Sequence, residues 1–350
     1  MKTLSLPPDP KIRLDAELFS LVNEADRLLY QLDGAVSTLP ENHPTRSILI
    51  MLEAWNSAQI DSPDISIIDF FKLLQDDRAK ELRRVFNYIS ALSLGQKLIR
   101  DVSSSAHIIR SIHAELYKGD PSQNNPAGGF RIIPAELMGH SLPEPETIPV
   151  LMEGLNSFIA SDISYPALIN AALIQAQFEL IRPYSPGTGM TGRILSQLHL
   201  IWKKKTSAPV LQISNQLRLR LIEYSDRLLD LSLHKNPEPW IKFYLRIFLD
   251  SVADTKTKIA KLSALKEKNY EVILEKGFAS SSALKFYELL MKRPVISLAF
   301  VTRELGLNKQ LANMLIAKFI DAGVLKEITG QMRNRVFAYI EYLNILEPGK

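Results

Sequence analysis

The chain has 350 residues, 46% of them hydrophobic, and a formal net charge of only +4; single cores rarely grow past about 250–300 residues, so we expect more than one domain. It has no cysteine, which excludes disulfides, thiolate metal sites and a cysteine nucleophile. No run approaches the roughly 18 apolar residues of a membrane span and the N-terminus lacks a signal-peptide core, so we expect a cytoplasmic protein without a membrane partner.

The first hundred residues predict an extended arm followed by helices. Pro7, Pro8 and Pro10 exclude a helix from the first eleven residues. Apolar residues at three- and four-residue spacing predict a helix from Asp15 to about Leu32, which the dipeptide at 33–34 is expected to end. Further helices are predicted at about 45–58 (ending before Pro63), 66–75 and 76–111.

A hairpin is predicted after a loop at 124–129. Its residues are Phe130–Ile133, followed by Gly139 and a Pro-rich stretch at 142–145. A short flap beside a helical bundle often covers a site, and an incidental surface hairpin is the alternative. The candidate flap residues are Ile132, Ile133, Gly139 and His140.

The most informative stretch is a glycine-rich loop, Ile181–Arg193, between two apolar helices predicted at 165–180 and 191–202. Glycines let successive N–H groups face a phosphate without Cβ obstruction, and the helix that follows supplies a favourable dipole. The alternative is a tight interhelical turn without a ligand. The candidate phosphate-binding residues are Arg182, Gly187, Thr188, Gly189, Thr191, Gly192 and Arg193.

Two more helices, predicted at 214–231 and 239–265, lead to a domain boundary at about 270–282. The last segment has the order of a winged helix. Helices at 284–292, 298–305 and 309–321 precede two short strands at 324–328 and 335–339, and Ser297 and Asn308 are predicted helix caps.

The whole charge excess lies in this last segment. Residues 284–350 hold ten Lys/Arg and six Asp/Glu, so DNA is the partner that the pattern favours. The alternative is a winged helix kept as a packing or dimerisation module, because the recognition helix carries only two cations. The candidate DNA-binding residues are Asn308, Lys309, Lys318, Arg333 and Arg335.

With its glycine loop between two apolar helices and a hairpin upstream, the chain resembles the Fic (Fic/Doc) family of nucleotidyltransferases. The stretches that carry the resemblance are Ala91–Gly95, Gly129–Arg131, Phe178–Ile181, the glycine loop and Leu211–Ser214. The resemblance implies a mainly α fold: a Fic helical bundle with a small β-hairpin flap, plus a C-terminal winged helix-turn-helix. It divides the chain into an N-terminal helical region (1–110), a Fic core (111–270) and the winged helix (284–350).

The loop departs from the family's motif, His-Pro-Phe-x-Asp/Glu-Gly-Asn-Gly-Arg-x-x-Arg, at its chemical positions. The family's catalytic histidine is replaced by Arg182, which cannot be deprotonated and so cannot act as a general base. The acidic metal ligand is replaced by Pro186, which offers no side-chain oxygen. The asparagine and the first arginine are replaced by Thr188 and Met190. No catalytic residue is therefore assigned.

The family also carries an inhibitory Ser/Thr-x-x-x-Glu motif, whose glutamate pairs with the last arginine of the loop. Ser57 and Asp61 occupy its place here, with a carboxylate one methylene shorter. Asp61 either pairs with Arg193 and locks the loop or remains in solvent.

These observations predict a catalytically impaired Fic-like protein that binds a nucleotide or another phosphate ligand and acts as a DNA-binding regulator of transcription. The alternative is a working protein adenylyltransferase that modifies Ser, Thr or Tyr hydroxyls with ATP. A third alternative is an interaction scaffold that binds neither a ligand nor DNA. ATP is the cofactor that the resemblance implies, and Mg²⁺ is put in doubt by Pro186. The expected partners are DNA, a nucleotide, a protein target and a second copy of the chain.

Overall fold

The structure is a computed structural model that describes residues 2–9, 11–61, 65–75, 80–101, 105–120, 128–161 and 165–347. Pro10, Pro63 and most of the predicted loop at 124–129 lie outside these residues. The fold is mainly helical, as the sequence predicts. None of the helices in the described ranges is both long enough and apolar enough to cross a lipid bilayer.

The helices and strands follow one another in chain order. The helices are α1 (Ala16–Ser37), α2 (Pro44–Ile60), α3 (Ile67–Leu73), α4 (Arg83–Asp101), α5 (Ser105–Leu116), α6 (Ile148–Ala160), α7 (Ala167–Ile181), α8 (Thr188–Trp202), α9 (Ile213–Leu219), α10 (Leu221–His234), α11 (Glu238–Glu275), α12 (Ser281–Lys292), α13 (Leu298–Leu305), α14 (Lys309–Asp321) and α15 (Ile340–Leu346). The strands are β1 (Glu136–Leu137), β2 (His140–Ser141), β3 (Val295–Ser297), β4 (Lys326–Glu327) and β5 (Val336–Ala338).

The chain divides into two compact units. The first comprises Met1–Leu39, Glu53–Ser62 and Arg83–Asp254, and the second comprises Pro40–Leu52, Pro63–Leu82 and Thr255–Lys350. Helices α2 and α11 contribute residues to both units.

The core of the first unit is built on α7 and α8, which pack against each other. Every residue of α7 after Ala167 is buried. Its apolar residues are spread around the whole helix, so no face is left for solvent, and its polar residues are buried as well. Gly95 of α4 lets α8 approach closely, since a Cβ there would lie 2.3 Å from Leu198 Cδ1. The glycine loop joins these two helices, so it is held by the most deeply buried elements of the unit.

The N-terminal arm lies on this core in the extended form that its prolines predict. The backbone N–H of Leu4 donates to Gln177 Oε1 at 2.9 Å, and Gln177 Nε2 donates back to the Leu4 carbonyl at 3.0 Å. One buried glutamine of α7 therefore pairs with the arm as a strand neighbour would.

Four predicted helices differ from the structure in their bounds. The helix predicted at 76–111 is two helices in the described residues, α4 and α5, and α5 continues to Leu116. Helix α1 continues through Gly34 to Ser37, because a glycine inside a helix costs only about 1 kcal/mol and buried residues on both sides outweigh it. The predicted single helix at 214–231 is two helices, broken at Arg220, where φ is −124°. Helix α11 does not end near 265 but continues through the charged stretch to Glu275.

The hairpin exists, and Gly139 and His140 belong to it as predicted, but its first strand is Glu136–Leu137 and not the predicted 130–133. Strand β1 pairs antiparallel with β2, with Leu137 opposite His140, and Gly139 turns between them with φ of +72°. The predicted strand residues Ile132 and Ile133 precede the hairpin and are exposed by 74% and 52%.

The C-terminal part of the second unit has the predicted helix order, with an additional strand. Sheet order is β3-β5-β4, all antiparallel, and β3 and α15 were not predicted. Ser297 and Asn308 cap α13 and α14 as expected, each accepting from the backbone N–H three residues on. This order and sheet are consistent with the predicted winged helix.

Candidate functional site at the glycine loop

The loop between α7 and α8 is fixed by its own backbone and two threonines. Helix α7 ends at Ile181, and the next residue, Arg182, has a left-handed backbone with φ of 46°. The hydroxyl of Thr188 accepts from the Tyr184 N–H at 3.2 Å and donates to the Tyr184 carbonyl at 2.9 Å. Thr191 Oγ1 donates to the Gly187 carbonyl at 2.9 Å. Both predicted ligand hydroxyls therefore bond to the loop itself.

Gly187 is required for two independent reasons. Its φ is +105°, a region that L side chains rarely adopt. A Cβ built on it would also lie 2.1 Å from Cε2 of the Tyr117 ring. This glycine thus serves close packing on Tyr117 as well as the turn into α8.

Arg193 is buried and its guanidinium is held by the end of α2. Nε donates to Ser57 Oγ at 2.8 Å, and Nη2 donates to the Ser57 carbonyl at 3.0 Å and to Asp61 Oδ2 at 3.3 Å. Burial works to lower the pKa of Arg193, but Asp61 and the nearby Glu179 together raise it. The pairing of Asp61 with Arg193, which the sequence left open, is therefore present.

A second carboxylate, Glu179 of α7, also acts on the charge of Arg193. It is buried, accepts from the Tyr224 hydroxyl at 3.0 Å, and lies 3.9 Å from Arg182 Nη1. Burial raises the pKa of Glu179, while the two arginines oppose that rise. Gly189 leaves room for Arg193 and Glu179, since a Cβ there would lie 2.9 Å from Arg193 Nη1 and 3.3 Å from Glu179 Oε1.

Glu53, one helical turn before Ser57, anchors α2 in the first unit. It is fully buried and accepts from Ser214 N at 3.0 Å, Ser214 Oγ at 2.6 Å and Gln197 Nε2 at 3.1 Å. Burial raises the pKa of Glu53 to about 7, against these hydrogen bonds and the charge of Arg193. Its bonds join α2 to α8 and α9, which positions Ser57 for Arg193.

Arg182 stands where the resemblance places the catalytic histidine. Its side chain is about one third exposed, and a guanidinium supplies positive charge but no proton acceptor. Its carbonyl accepts from Arg131 Nε at 2.8 Å. The residue can attract an anion and cannot act as a general base.

Arg131 fastens the segment before the hairpin to the loop. It is 2% exposed; its backbone N–H donates to the Pro183 carbonyl at 2.8 Å, and Nη1 donates to the Ile133 carbonyl at 2.9 Å. Nη2 donates to the Pro143 carbonyl on the other side of the hairpin. One side chain thus holds both ends of the flap against the loop.

His113 of α5 is the histidine that meets the loop, and both of its nitrogens are engaged. Nδ1 accepts from the Gly128 N–H at 3.0 Å, so the proton lies on Nε2, which donates to the Pro186 carbonyl at 3.1 Å. Its ring stacks on Tyr184 with centroids 3.8 Å apart. Burial lowers the pKa of His113 to about 4. His140, by contrast, is exposed on β2.

The loop residues do not fit Mg²⁺. Pro186 has only its carbonyl oxygen, and that oxygen accepts from His113. Two carboxylates of the site are hydrogen-bonded, Asp61 to Arg193 through Oδ2 and Glu179 to Tyr224 through Oε1. Mg²⁺ prefers octahedral oxygen ligands, and the loop position that carries the acidic ligand in the family motif has no side-chain oxygen here.

The predicted DNA-binding residues of the second unit separate into two groups. Lys309, Arg333 and Arg335 line one groove of about 800 Å³ between α14 and the β4–β5 loop, together with Lys72 of α3. Lys318 lies instead over the Phe278 ring at 5.8 Å. Asn308 uses its side chain to cap α14.

Arg131, His113, Glu179 and Glu53 were not predicted as parts of the site. Arg131 and Glu179 lie in stretches that carry the family resemblance, which was a usable signal. His113 and Glu53 sit within ordinary amphipathic helices; their roles depend on contacts with residues more than 70 positions away.

Comparison with known families gives two matches that together span half of the chain. The Fic/DOC family N-terminal model matches residues 19–97, and the Fic/DOC family model matches residues 103–200. The second match includes α5, the flap and the glycine loop.

Solved structures show the same fold at low sequence identity. A Fic family protein from Desulfovibrio desulfuricans G20 is 15% identical, with a TM-score of 0.59 over 94% of this chain and 97% of that one. A Fic domain containing signaling protein from Bacteroides thetaiotaomicron is 16% identical (TM-score 0.52; 65% of this chain, 95% of that one). Fic-1 from C. elegans is 14% identical (TM-score 0.51; 71% and 72%).

The buried His113 predicts loss of stability on acidification. Its pKa is about 4 in the folded chain against 6.5 ordinarily, so protons bind the unfolded chain first, and stability falls as pH drops from about 6.5 to 4. Between pH 6.5 and pH 4, we expect the free energy of unfolding of the wild type to fall by up to about 3 kcal/mol more than that of His113→Gln. Urea unfolding at each pH measures both. His140→Gln, at an exposed position, serves as the control. Equal pH slopes for the wild type and His113→Gln would contradict the assignment.

Proposed function

This chain belongs to the Fic/Doc family, and on that premise we propose that it is a catalytically impaired Fic-like regulator that binds a phosphate-bearing ligand at the glycine loop and DNA through its C-terminal segment. The observation that carries the proposal is Arg182, which stands where the family has its catalytic histidine. Its side chain is about one third exposed, so it offers a positive charge to a phosphate, but a guanidinium cannot accept a proton.

Impaired transfer is supported by the lack of a proton acceptor among the described groups of the loop. Transfer of AMP to a hydroxyl requires removal of the hydroxyl proton, and a general base typically contributes about 10²–10⁴-fold. Arg182 cannot accept a proton, and both nitrogens of His113 are engaged. An adenylyltransferase would have to bring its base from elsewhere, so we place that reading second.

Ligand binding at the loop is supported by the positive groups that remain there. The first turn of a helix leaves N–H groups without intrahelical acceptors, and the helix dipole favours an anion at that end. Gly189 in this turn is half-buried, and Arg182 is one third exposed. Arg193 stays bonded to Ser57, and loss of the contact with Asp61 would leave its positive charge uncompensated on that side and able to attract a phosphate. Asp61 is 39% exposed, so it can leave the arginine without crossing the core.

DNA binding is supported by the groove of the second unit. Arg333 and Arg335 lie on the β4–β5 loop and Lys309 at the start of α14, and all three are exposed. A groove bounded by a recognition helix and a basic wing matches the geometry in which helix residues meet base edges and wing cations meet phosphates. Lys72 of α3 adds a fourth cation to its wall.

Asp61→Asn is expected to increase nucleotide binding. Loss of the carboxylate frees Arg193 for a phosphate, so ATP should raise the melting temperature of the variant by more than that of the wild type. The measurement is thermal unfolding with ATP, ADP and AMP at low and high Mg²⁺, each compared with the same variant without ligand. Asp26→Asn, which breaks the ion pair with Lys205 at 3.2 Å, is the matched control. If no nucleotide changed the melting temperature of the wild type or of either variant, the proposed ligand site at the loop would be wrong.

Labelled ATP tests the impairment directly. We expect no incorporation of label into the protein at high protein concentration. Arg182→His alone should also remain inactive, because Pro186 and Met190 still lack the metal ligand and the phosphate clamp of the family motif. Auto-modification by the wild type would establish the adenylyltransferase reading instead.

Salt dependence tests the DNA interface. Binding of a fluorescent random duplex should weaken steeply between about 50 and 200 mM salt, and Arg333→Gln with Arg335→Gln should reduce the log–log slope by about 2, because each phosphate contact contributes about 0.9. Lys318→Gln should leave the slope unchanged, since Lys318 lies over Phe278 outside the groove lining. A wild-type affinity independent of salt would exclude phosphate contacts by the wing.

A further inference from the structure

The groove of the second unit presents side chains that have no partner inside the protein. Its lining includes Lys72, Lys309, Arg333 and Arg335 and, among the described residues, no carboxylate. Lys309 and Arg333 are exposed, and their side chains form neither an ion pair nor a hydrogen bond with the residues that the structure describes. Cations left unpaired along one groove favour a polyanionic partner.

Asn313 of α14 lies in the same groove and is also without a partner. It is exposed, and its side-chain amide makes no hydrogen bond within the described parts of the chain. It follows Lys309 by four residues, so the two side chains lie on one face of the helix. A carboxamide carries a donor group and an acceptor group side by side, and in Asn313 both are available to a ligand.

Other polar side chains at the groove already serve the fold. Asn308, a predicted DNA-binding residue, caps α14 by accepting from the backbone N–H three residues on at 2.8 Å. Ser297 caps α13 in the same way at 3.3 Å, and Thr302 Oγ1 donates to the carbonyl three residues before it at 2.8 Å. A contact that needs both groups of an amide is therefore open to Asn313, whereas Asn308 already uses its oxygen.

The placement of Asn313 suits contact with a base. Helices α13 and α14 pack against each other and are joined by residues 306–308, the arrangement of a helix-turn-helix, whose second helix enters the major groove of DNA. There an adenine presents N7 as an acceptor and its 6-amino group as a donor, which the amide of an asparagine matches with two hydrogen bonds.

Lys72 reaches the groove from a different part of the chain. Helix α3 packs on β3, and the carbonyl of Gln75 after it accepts from Arg303 Nη2 at 3.0 Å. The side chain of Lys72 is 38% exposed and pairs with Asp69 at 3.0 Å. A lysine so placed can contact a phosphate, which adds affinity but reads no base.

We propose that Asn313 reads an adenine in the major groove of DNA, while Lys72, Arg333 and Arg335 contact phosphates beside it. The inference rests on the DNA binding proposed above and adds to it the residue that selects the sequence. A phosphate contact strengthens binding to any duplex, whereas two hydrogen bonds to one base edge strengthen binding to one base pair. Experiment can therefore separate the two kinds of residue.

The test is selection from a random duplex pool by the full chain, followed by fluorescence titration of the selected duplex. We expect the site to contain a required adenine, and its replacement by 7-deazaadenine, which lacks the N7 acceptor, to weaken binding by about tenfold. Asn313→Ala should bind the two duplexes equally, with an unchanged salt slope. Gln310→Ala, which removes an exposed amide of the same helix outside the groove lining, should still distinguish them.

Lys72→Gln should give the complementary result. We expect it to weaken binding of both duplexes by the same factor and to reduce the log–log salt slope by about 1. The matched control is Lys80→Gln, at an exposed position of the same N-terminal stretch outside the groove lining, which should leave the slope unchanged. Equal effects of the two substitutions would show that only the overall charge matters.

Failure of this inference differs from failure of DNA binding itself. If the wild type binds duplexes with a steep salt dependence but selects no sequence, or if Asn313→Ala remains sensitive to 7-deazaadenine, Asn313 is not the reading residue and the DNA interface stands. If the wild-type affinity does not depend on salt, both are wrong.

Two further measurements complete the test. Poly-glutamate bound as tightly as the duplex would assign the groove to an acidic polypeptide instead of DNA. Asn313→Ala should melt at the wild-type temperature, because the side chain is exposed and makes no hydrogen bond among the described residues. A clear loss of stability would mean that the amide serves the fold and not a base.

Discussion

The arrangement of the first unit depends on one buried guanidinium. A buried charge is costly unless it is paired and hydrogen-bonded. Arg193 is paired with Ser57 near the end of α2 and with Asp61 directly after that helix, and Glu179 of α7 lies close to it. Glu53 then fixes α2 to α8 and α9. The charge of Arg193 thus holds the end of α2 against α8, and Thr188 and Thr191 bond to the backbone of the loop.

Much of this could be predicted from sequence where the signal was local. Helical periodicity placed most helices, capping residues placed α13 and α14, and the glycine spacing located the loop between two buried helices. The Ser57 and Asp61 pair was identified through the family resemblance, because its spacing survives on one helix. These signals need only neighbouring residues, so a single sequence carries them.

The rest depended on contacts that sequence spacing does not encode. Gly34 was read as a stop, yet α1 continues because Leu32 and Val36 on either side are buried. Strand β3 has three residues and gains its ladder from β5, some forty positions later. The roles of His113 and Arg131 come from carbonyls of the loop at 182–186, and neither helix pattern nor turn chemistry marks them beforehand.

The contact between Gly187 and Tyr117 also constrains how such a chain can diverge. A side chain at residue 187 would need both a different backbone conformation, because φ is +105°, and the loss of most of the ring at 117, because a Cβ would lie 2.1 Å from it. The two positions are 70 residues apart, and the constraint between them runs one way: residue 117 can become smaller while residue 187 stays glycine. Relatives that share this loop geometry are therefore expected to keep glycine at the first position even where the second position varies.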